Sequence, residues 1–409
     1  MELDQRIANH IMQNVGGAGQ PPEVGFQEFT AGLDPYLSVI RDEYLRTYVK
    51  DGGSAFKMVV GVYGGGKTHF LYCVRDAAWQ EAFVTSYVSL SQAASPFHKF
   101  ELVYGAIMHE VTPPLEPEEL LAGGYERGIG AFIRRWYSRD LREATESGLS
   151  GQELQVELLS QLDMIRGLDS ISFEKAVKSA YRALLGRHED EFGAICQWLS
   201  GEGYDRRTHS KFGILQKIDK TTVATMLRSF AQLLRQIGYS GLVVLFDEAE
   251  RIPSMSGKQK EQHLSNLREL IDACSRTSLQ GAFIFYAVPD EQFLEGGTQV
   301  YTALQQRVAT VFDLPNYAGV KIELENTVVE PPAFLREVGG KLVRVFEVAK
   351  STTLDKRKAE ELVGLVATEA YEQRFGDISY KRVFVQGLAR GLNYWHHTGS
   401  PPSITDLGW

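Results

Sequence analysis

The sequence predicts an α/β fold, a parallel-sheet core with one helical block set inside it and a second behind it. Two observations lead there. Short strand-like runs at 56–61, 83–90, 241–246 and 281–288, the third continuously apolar, read as buried strands, and helical stretches separate them. From roughly 112 to 236 strand-like runs vanish, and long polar helical stretches such as 152–165 and 173–185 replace them.

Taken in order, Ile7, Ile11 and Met12 have helical spacing over 2–14, and the run Gly16-Gly-Ala-Gly-Gln-Pro21-Pro22 is expected to break that helix. Leu37, Ile40, Tyr44, Leu45 and Tyr48 predict a helix over 34–49, closed by Asp51-Gly-Gly-Ser. Further helices are expected at about 96–110 and 258–274. After Pro331 and Pro332 the chain reads as helical to about 394. The expected division is an N-terminal segment with the first part of the core (1–111), a helical insertion (112–236), the second part of the core (237–328) and a C-terminal helical lid (329–409).

The 409 residues are 44% hydrophobic and 23% charged, which excludes a fibrous or mainly disordered chain. No apolar run approaches the roughly 18 residues that cross a bilayer, and the charged start Met1-Glu-Leu-Asp-Gln-Arg6 lacks an apolar signal segment. Cys73, Cys196 and Cys274 are odd in number and far apart, so no disulfide framework is implied. A soluble, cytoplasmic protein without a membrane partner is expected. With 43 basic against 52 acidic residues the net charge is −9, which argues against a surface coated in positive charge. A local basic surface stays open.

Chemistry concentrates in two places. Gly61-Val-Tyr-Gly64-Gly65-Gly66-Lys67-Thr68 fits G-x-x-x-x-G-K-[ST], with a strand before it and an apolar helix start, Phe70 and Leu71, after it. Glycines let the backbone fold round phosphates with its N–H groups inward. Lys67 is placed to reach the β and γ phosphates of ATP, and Thr68 to hold Mg²⁺. His69 completes the cofactor-binding set and is expected to pack behind the loop. The second place is Gly241-Leu-Val-Val-Leu-Phe246-Asp247-Glu248, two acids at the carboxyl end of a buried strand. Asp247 would support Mg²⁺ and Glu248 would polarise the attacking water. An apolar strand ending in acids is commonplace alone; beside the Lys67 loop it is the expected partner. Lys67 and Asp247 stand so far apart in sequence that the intervening helical block reads as an insertion carrying partner contacts.

Two arginines follow. Arg307 comes after the 281–288 strand and a helix, where an arginine can enter a neighbouring subunit's site and neutralise γ-phosphate charge. Arg382 lies in the trailing helices, from which it could close on its own subunit's nucleotide. For both, a solvated helical arginine is the plain alternative.

With these elements in order, the chain resembles the AAA+ superfamily, in its origin-recognition and helicase-loader-like branch. More narrowly, it is similar to the BrxC/BrxD group of ATP-binding proteins from bacterial BREX-type phage-defence systems. The segment Pro21-Pro22 followed by Phe29-Thr30-Ala-Gly32 carries the resemblance upstream, and in such ATPases it lies near the nucleotide base. Gly61-Val-Tyr-Gly-Gly-Gly-Lys67-Thr68-His69-Phe70-Leu71 and Gly238-Tyr-Ser-Gly-Leu-Val-Val-Leu-Phe-Asp247-Glu248-Ala-Glu250 match the group's two nucleotide motifs. The Arg382 region, Gly376-Asp377-Ile-Ser-Tyr-Lys-Arg382, fits as well. The resemblance implies an ATPase working in phage defence, with DNA met directly or through a helicase or other system subunit. It also implies a homo-oligomer with nucleotide at subunit interfaces. One departure stands out. The strand ending Tyr286-Ala-Val288-Pro289 should finish near a polar sensor residue, and Val288 occupies that place with only Tyr286 nearby. A nucleotide-gated switch or scaffold with little turnover is therefore the alternative, and a P-loop kinase is a third reading disfavoured by Glu248.

Other features weigh less. Arg134-Arg135-Trp136-Tyr137-Ser-Arg139 with Arg142 could grip nucleic acid, but helical spacing spreads it over several faces, favouring a solvated surface with Trp136 buried. Lys258-Gln-Lys260 reads equally as a channel-facing loop or an exposed helix start. His396-His397 lacks companions at metal-ligand spacing.

Overall fold

The computed structural model describes residues 3–91, 93–248, 255–291, 294, 299–313, 315–326, 330–374 and 379–408. The ends of two motifs, Ala249-Glu250 and Gly376-Asp377-Ile378, fall outside them.

Six strands form one sheet in the order β3-β2-β4-β5-β1-β6. They are β1 (Ser54–Val60), β2 (Val84–Ser89), β3 (Val111–Thr112), β4 (Leu242–Asp247), β5 (Ala282–Val288) and β6 (Lys321–Glu323). All pairings are parallel except β2 with β3. Register brings the working ends together: Val60 sits beside Val288, and Ser89 beside Asp247. The carboxyl ends of β1, β5, β4 and β2 thus share one edge, where a parallel sheet opens its ligand crevice.

The apolar runs of the sequence are continuous because both sheet faces are covered. Leu242, Val244 and Phe246 of β4, with Ile284 and Tyr286 of β5, share a core with the Gly257–Ser275 helix and the helices between β3 and β4. Val243, Leu245, Phe283 and Phe285 point the other way, against Phe70, Leu71 and Val74 of the Lys67–Gln80 helix. Each such fully buried side chain stabilises the fold by about 1.5–3 kcal/mol.

The long segment between β3 and β4 is helical, as its polar periodicity predicts. Ile129–Glu146, Gly151–Met164, Ile171–Leu185, Glu189–Leu199 and Val223–Gln236 are its main helices. Trp136, Tyr181 and Trp198 fill its interior. The arginine cluster lies on the surface over that interior, with three guanidiniums matched to carboxylates, Arg134 with Glu189, Arg135 with Glu119 and Arg139 with Asp140, and Arg142 exposed beside them. It offers mostly paired charge.

A separate core joins the Gln5–Gly17 helix to three C-terminal helices, Pro331–Lys350, Lys356–Glu372 and Tyr380–Thr398. The first helix therefore packs with the last part of the chain, and it runs on through Gly16 instead of breaking there. A Cβ on Gly16 would approach Cβ of Ala389 to 3.3 Å, so the glycine permits close helix packing. Strands β3 and β6, two and three residues long, are too short to show periodicity and escaped the sequence reading.

Candidate functional site

The Gly61 loop is fastened to the sheet at its start, where the Gly61 N–H donates to the Val288 carbonyl at 3.1 Å. It then turns sharply, the Gly65 N–H reaching the Val62 carbonyl at 2.9 Å. Gly64 and Gly66 have φ of 76° and 101°, left-handed values that a side chain would strain. Gly65 has a different reason: a Cβ there would lie 2.9 Å from both Oε1 of Glu325 and the Val62 carbonyl oxygen. Gly66 caps the Lys67–Gln80 helix, whose N-terminus faces the loop's hollow and favours bound anions. Lys67 is buried, and its ammonium donates to the carbonyls of Gly61 at 2.8 Å and Val62 at 3.3 Å.

Asp247 is 3% exposed at the end of β4. Its Oδ2 accepts from the Thr68 hydroxyl at 2.7 Å and from the Tyr87 hydroxyl at 2.5 Å, while Oδ1 accepts from the Glu248 N–H at 2.8 Å. Burial, then the Asp247 charge, pushes the Tyr87 phenol far above its ordinary value, so it remains a donor. Glu248 adopts φ of 57°, unusual for a residue with a side chain and the kind of strain found at functional corners. Its Oε2 accepts from the Ser89 hydroxyl at 2.5 Å. Thr68 and Asp247 bring a hydroxyl and a buried carboxylate together, and among the described residues the hydrogen bonds to that carboxylate come from hydroxyls and a backbone N–H. Such a hard-oxygen pair fits Mg²⁺.

Beside the loop lies a cavity of about 120 Å³, walled by Val15, Pro21, Phe29, Leu335, Val338 and Phe384, with Gly64, Gly65 and Gly66 at its loop end and His69 also in its lining. Its apolar walls and single convergent polar edge suit a nucleoside. The His69 ring meets Phe29 edge-on, centroids 5.1 Å apart, and burial lowers its pKa to about 4. Far from only packing behind the loop, it lines this cavity.

Of the two arginines, Arg382 lies on the loop's flank. Its guanidinium stacks 4.8 Å from the Tyr63 ring centre, and its Nε donates to the Ala18 carbonyl at 2.9 Å. The neighbouring Lys381 reaches further in, donating to the carbonyls of Gly65 at 3.2 Å and Leu324 at 3.4 Å, with Glu325 3.7 Å away. Burial lowers the Lys381 pKa, and the Glu325 charge works in the opposite direction. Arg307 is not drawn into this site. It grips Asp272 through two bonds of 2.5 and 3.0 Å and donates to the Ala303 carbonyl at 2.7 Å.

Tyr286 does not stand in for the absent sensor hydroxyl. It belongs to the core on the sheet face opposite the Lys67–Gln80 helix, where its hydroxyl meets Nε2 of His263 at 2.8 Å. Val288 is also fully buried, and its carbonyl serves the Gly61 N–H. Lys258 is exposed at the start of the Gly257–Ser275 helix, Lys260 lies over the Tyr301 ring, and His396 and His397 are exposed. The described residues hold no group of three metal-ligating side chains. Tyr87, Ser89, Lys381 and Glu325 were missed by sequence reasoning. The polar residues at every second position of β2, Thr85, Tyr87 and Ser89, were the available signal.

Among known families, residues 3–397 match the one described as BREX system ATP-binding protein BrxC/D. No curated protein and no solved structure gives a match. No helix among the described residues is long and apolar enough to cross a membrane.

Proposed function

The chain belongs to the BREX system ATP-binding protein BrxC/D family, and from that premise we propose that it is an AAA+ ATPase that hydrolyses the nucleotide it binds. The observation that carries the proposal is the corner formed by Thr68, Asp247 and Glu248 opposite the Lys67 loop. A bare nucleotide holder has no need of a second carboxylate beside the first. In this reading Lys67 leaves the Gly61 and Val62 carbonyls for the β and γ phosphates. Thr68 and Asp247 hold Mg²⁺, which when bound neutralises charge on the phosphate oxygens. Glu248, released from Ser89, accepts a proton from the attacking water.

The chain from 112 to 236 acts as an insertion that carries partner contacts, and the C-terminal helices act as a lid over the apolar cavity. Arg307, freed from Asp272, completes the site of a neighbouring copy in a homo-oligomer. DNA is met directly or through another subunit of the system, such as a helicase. The matched arginine–carboxylate pairs over Trp136 favour the indirect route, since they leave little unpaired positive charge for phosphates.

The test is a pair of variants. Glu248→Gln should keep ATP bound and lower turnover by at least a hundredfold, whereas Lys67→Ala should abolish binding. A second reading, a switch that binds ATP and recruits an effector with little turnover, is favoured by the engagement of Tyr286 with His263. Defence in cells that survives Glu248→Gln but not Lys67→Ala would select it.

A further inference from the structure

One hydrogen bond at the cavity's edge fixes the chemistry of a ring. The Thr30 hydroxyl oxygen lies 2.9 Å from the Phe26 carbonyl, 2.7 Å from Nε2 of His69 and 3.9 Å from Sγ of Cys73. A hydroxyl has one hydrogen to give, and the carbonyl can only accept it. With that hydrogen given to the carbonyl, Nε2 carries the imidazole hydrogen and donates it to Thr30, which leaves Nδ1 of the neutral ring as a bare acceptor. Among the described residues, Nδ1 has no hydrogen-bond partner, and it is not among the polar atoms sealed in the interior. His69 lines the cavity, so that acceptor is open to whatever fills it.

We infer that His69 reads the nucleotide's base, Nδ1 accepting from the 6-amino group of an adenine seated between Pro21, Phe29 and Val338. The inference rests on the nucleotide-site reading above and adds base selection to it. An exocyclic amine enclosed by apolar walls and stripped of water would be left unsatisfied without this acceptor. A 6-oxo purine would set a second acceptor against Nδ1, a repulsive mismatch that rejects it. Thr30 is the positioning residue, because it decides which nitrogen holds the hydrogen.

Calorimetric titration of the full chain with ATP and with ITP tests this. The parent protein should prefer ATP by about tenfold, the ratio from one well-placed hydrogen bond. His69→Gln places an amide where Nε2 was, keeps the Thr30 link and removes the acceptor, so the preference should vanish through weaker ATP binding. His69→Asn places an oxygen where Nδ1 was and should retain the preference. Thr30→Val frees the ring to shift its hydrogen and should erode it, which keeps a test in hand if the His69 variants do not fold. Equal affinity of the parent for ATP and ITP, or an undiminished preference in His69→Gln, overturns the inference. So does a His69→Gln effect confined to the difference between ATP and 2′-deoxy-ATP, which would assign the ring to the ribose. A parent protein that binds neither nucleotide sinks the nucleotide-site reading itself.

Discussion

Thr68 and Asp247 meet across 179 positions of sequence, the threonine hydroxyl donating to Oδ2 at 2.7 Å. The same oxygen accepts from Tyr87 at 2.5 Å, so one carboxylate atom serves two hydroxyl donors. If Thr68 turned its lone pair toward a metal ion, Tyr87 would be the hydroxyl left to hold that carboxylate in place.

Tyr87→Phe should therefore loosen the metal site. Hydrogen bonds to charged groups contribute about 1.5–3 kcal/mol, and partial loss of such a contact shifts an equilibrium by roughly three- to tenfold. The Mg²⁺ concentration that half-saturates binding of a non-hydrolysable ATP analogue should rise by that factor, with metal-free nucleotide affinity unchanged. An unaltered Mg²⁺ titration would remove Tyr87 from the site.

Ser89 engages the carboxylate that would serve as base. A hydrogen bond to a carboxylate oxygen occupies it and restrains its direction. Ser89→Ala should raise basal ATP turnover about threefold while leaving the ATP dissociation constant alone. A fall in turnover would instead make Ser89 a residue that aims Glu248 productively.

Lys381 and Arg382 can be ranked. Lys381→Ala removes the cation that touches the Gly65 and Leu324 carbonyls and should weaken ATP binding by at least tenfold. Arg382→Ala removes a group stacked on Tyr63 and bonded to Ala18, so its main effect should fall on the melting temperature, a loss of about 1–2 °C. The opposite ranking in nucleotide titrations would restore Arg382 as the phosphate contact.

His263 predicts an acid sensitivity. Burial, then the nearby His98, lowers its pKa to about 3 from an ordinary value near 6.5. Its folded pKa is depressed, so the unfolded chain takes up the proton first as pH falls. The contribution is fully present above about pH 6.5 and is lost on the way down toward pH 3. Urea unfolding at pH 7.5, 6.5, 5.5 and 4.5 should show a loss of about 1.4 kcal/mol per unit below pH 6.5 from this residue. His263→Leu should reduce that slope, although it strips Tyr286 of its partner; an identical slope would assign the sensitivity elsewhere.

The parallel sheet and the phosphate loop could be read in the sequence because each follows from local pattern. A continuous apolar run needs two covered faces, and three glycines before Lys67-Thr68 need a hollow to line. Tyr87 and Ser89 could not be assigned that way. Their value comes from the register that sets Ser89 beside Asp247, and register is a property of two strands far apart in sequence. Lys381 was passed over for its neighbour because one step along a helix turns a side chain by about 100°, and only packing tells which of the two faces the loop. Tyr286 lies two residues before Val288 on the same strand face, and its hydroxyl is taken up by His263 within the core, which only packing reveals.

The apolar cavity takes its walls from Val15 near one end of the chain and Val385 near the other. Such a chamber is complete only when the Tyr380–Thr398 helix is docked against the Gln5–Gly17 helix. A ligand that fills it would bind the docked arrangement alone. At a hundredfold excess over its dissociation constant a ligand adds about 2.7 kcal/mol to the state that binds it. A ligand held there would then protect chains with the two helices docked against cleavage of the segments that join them.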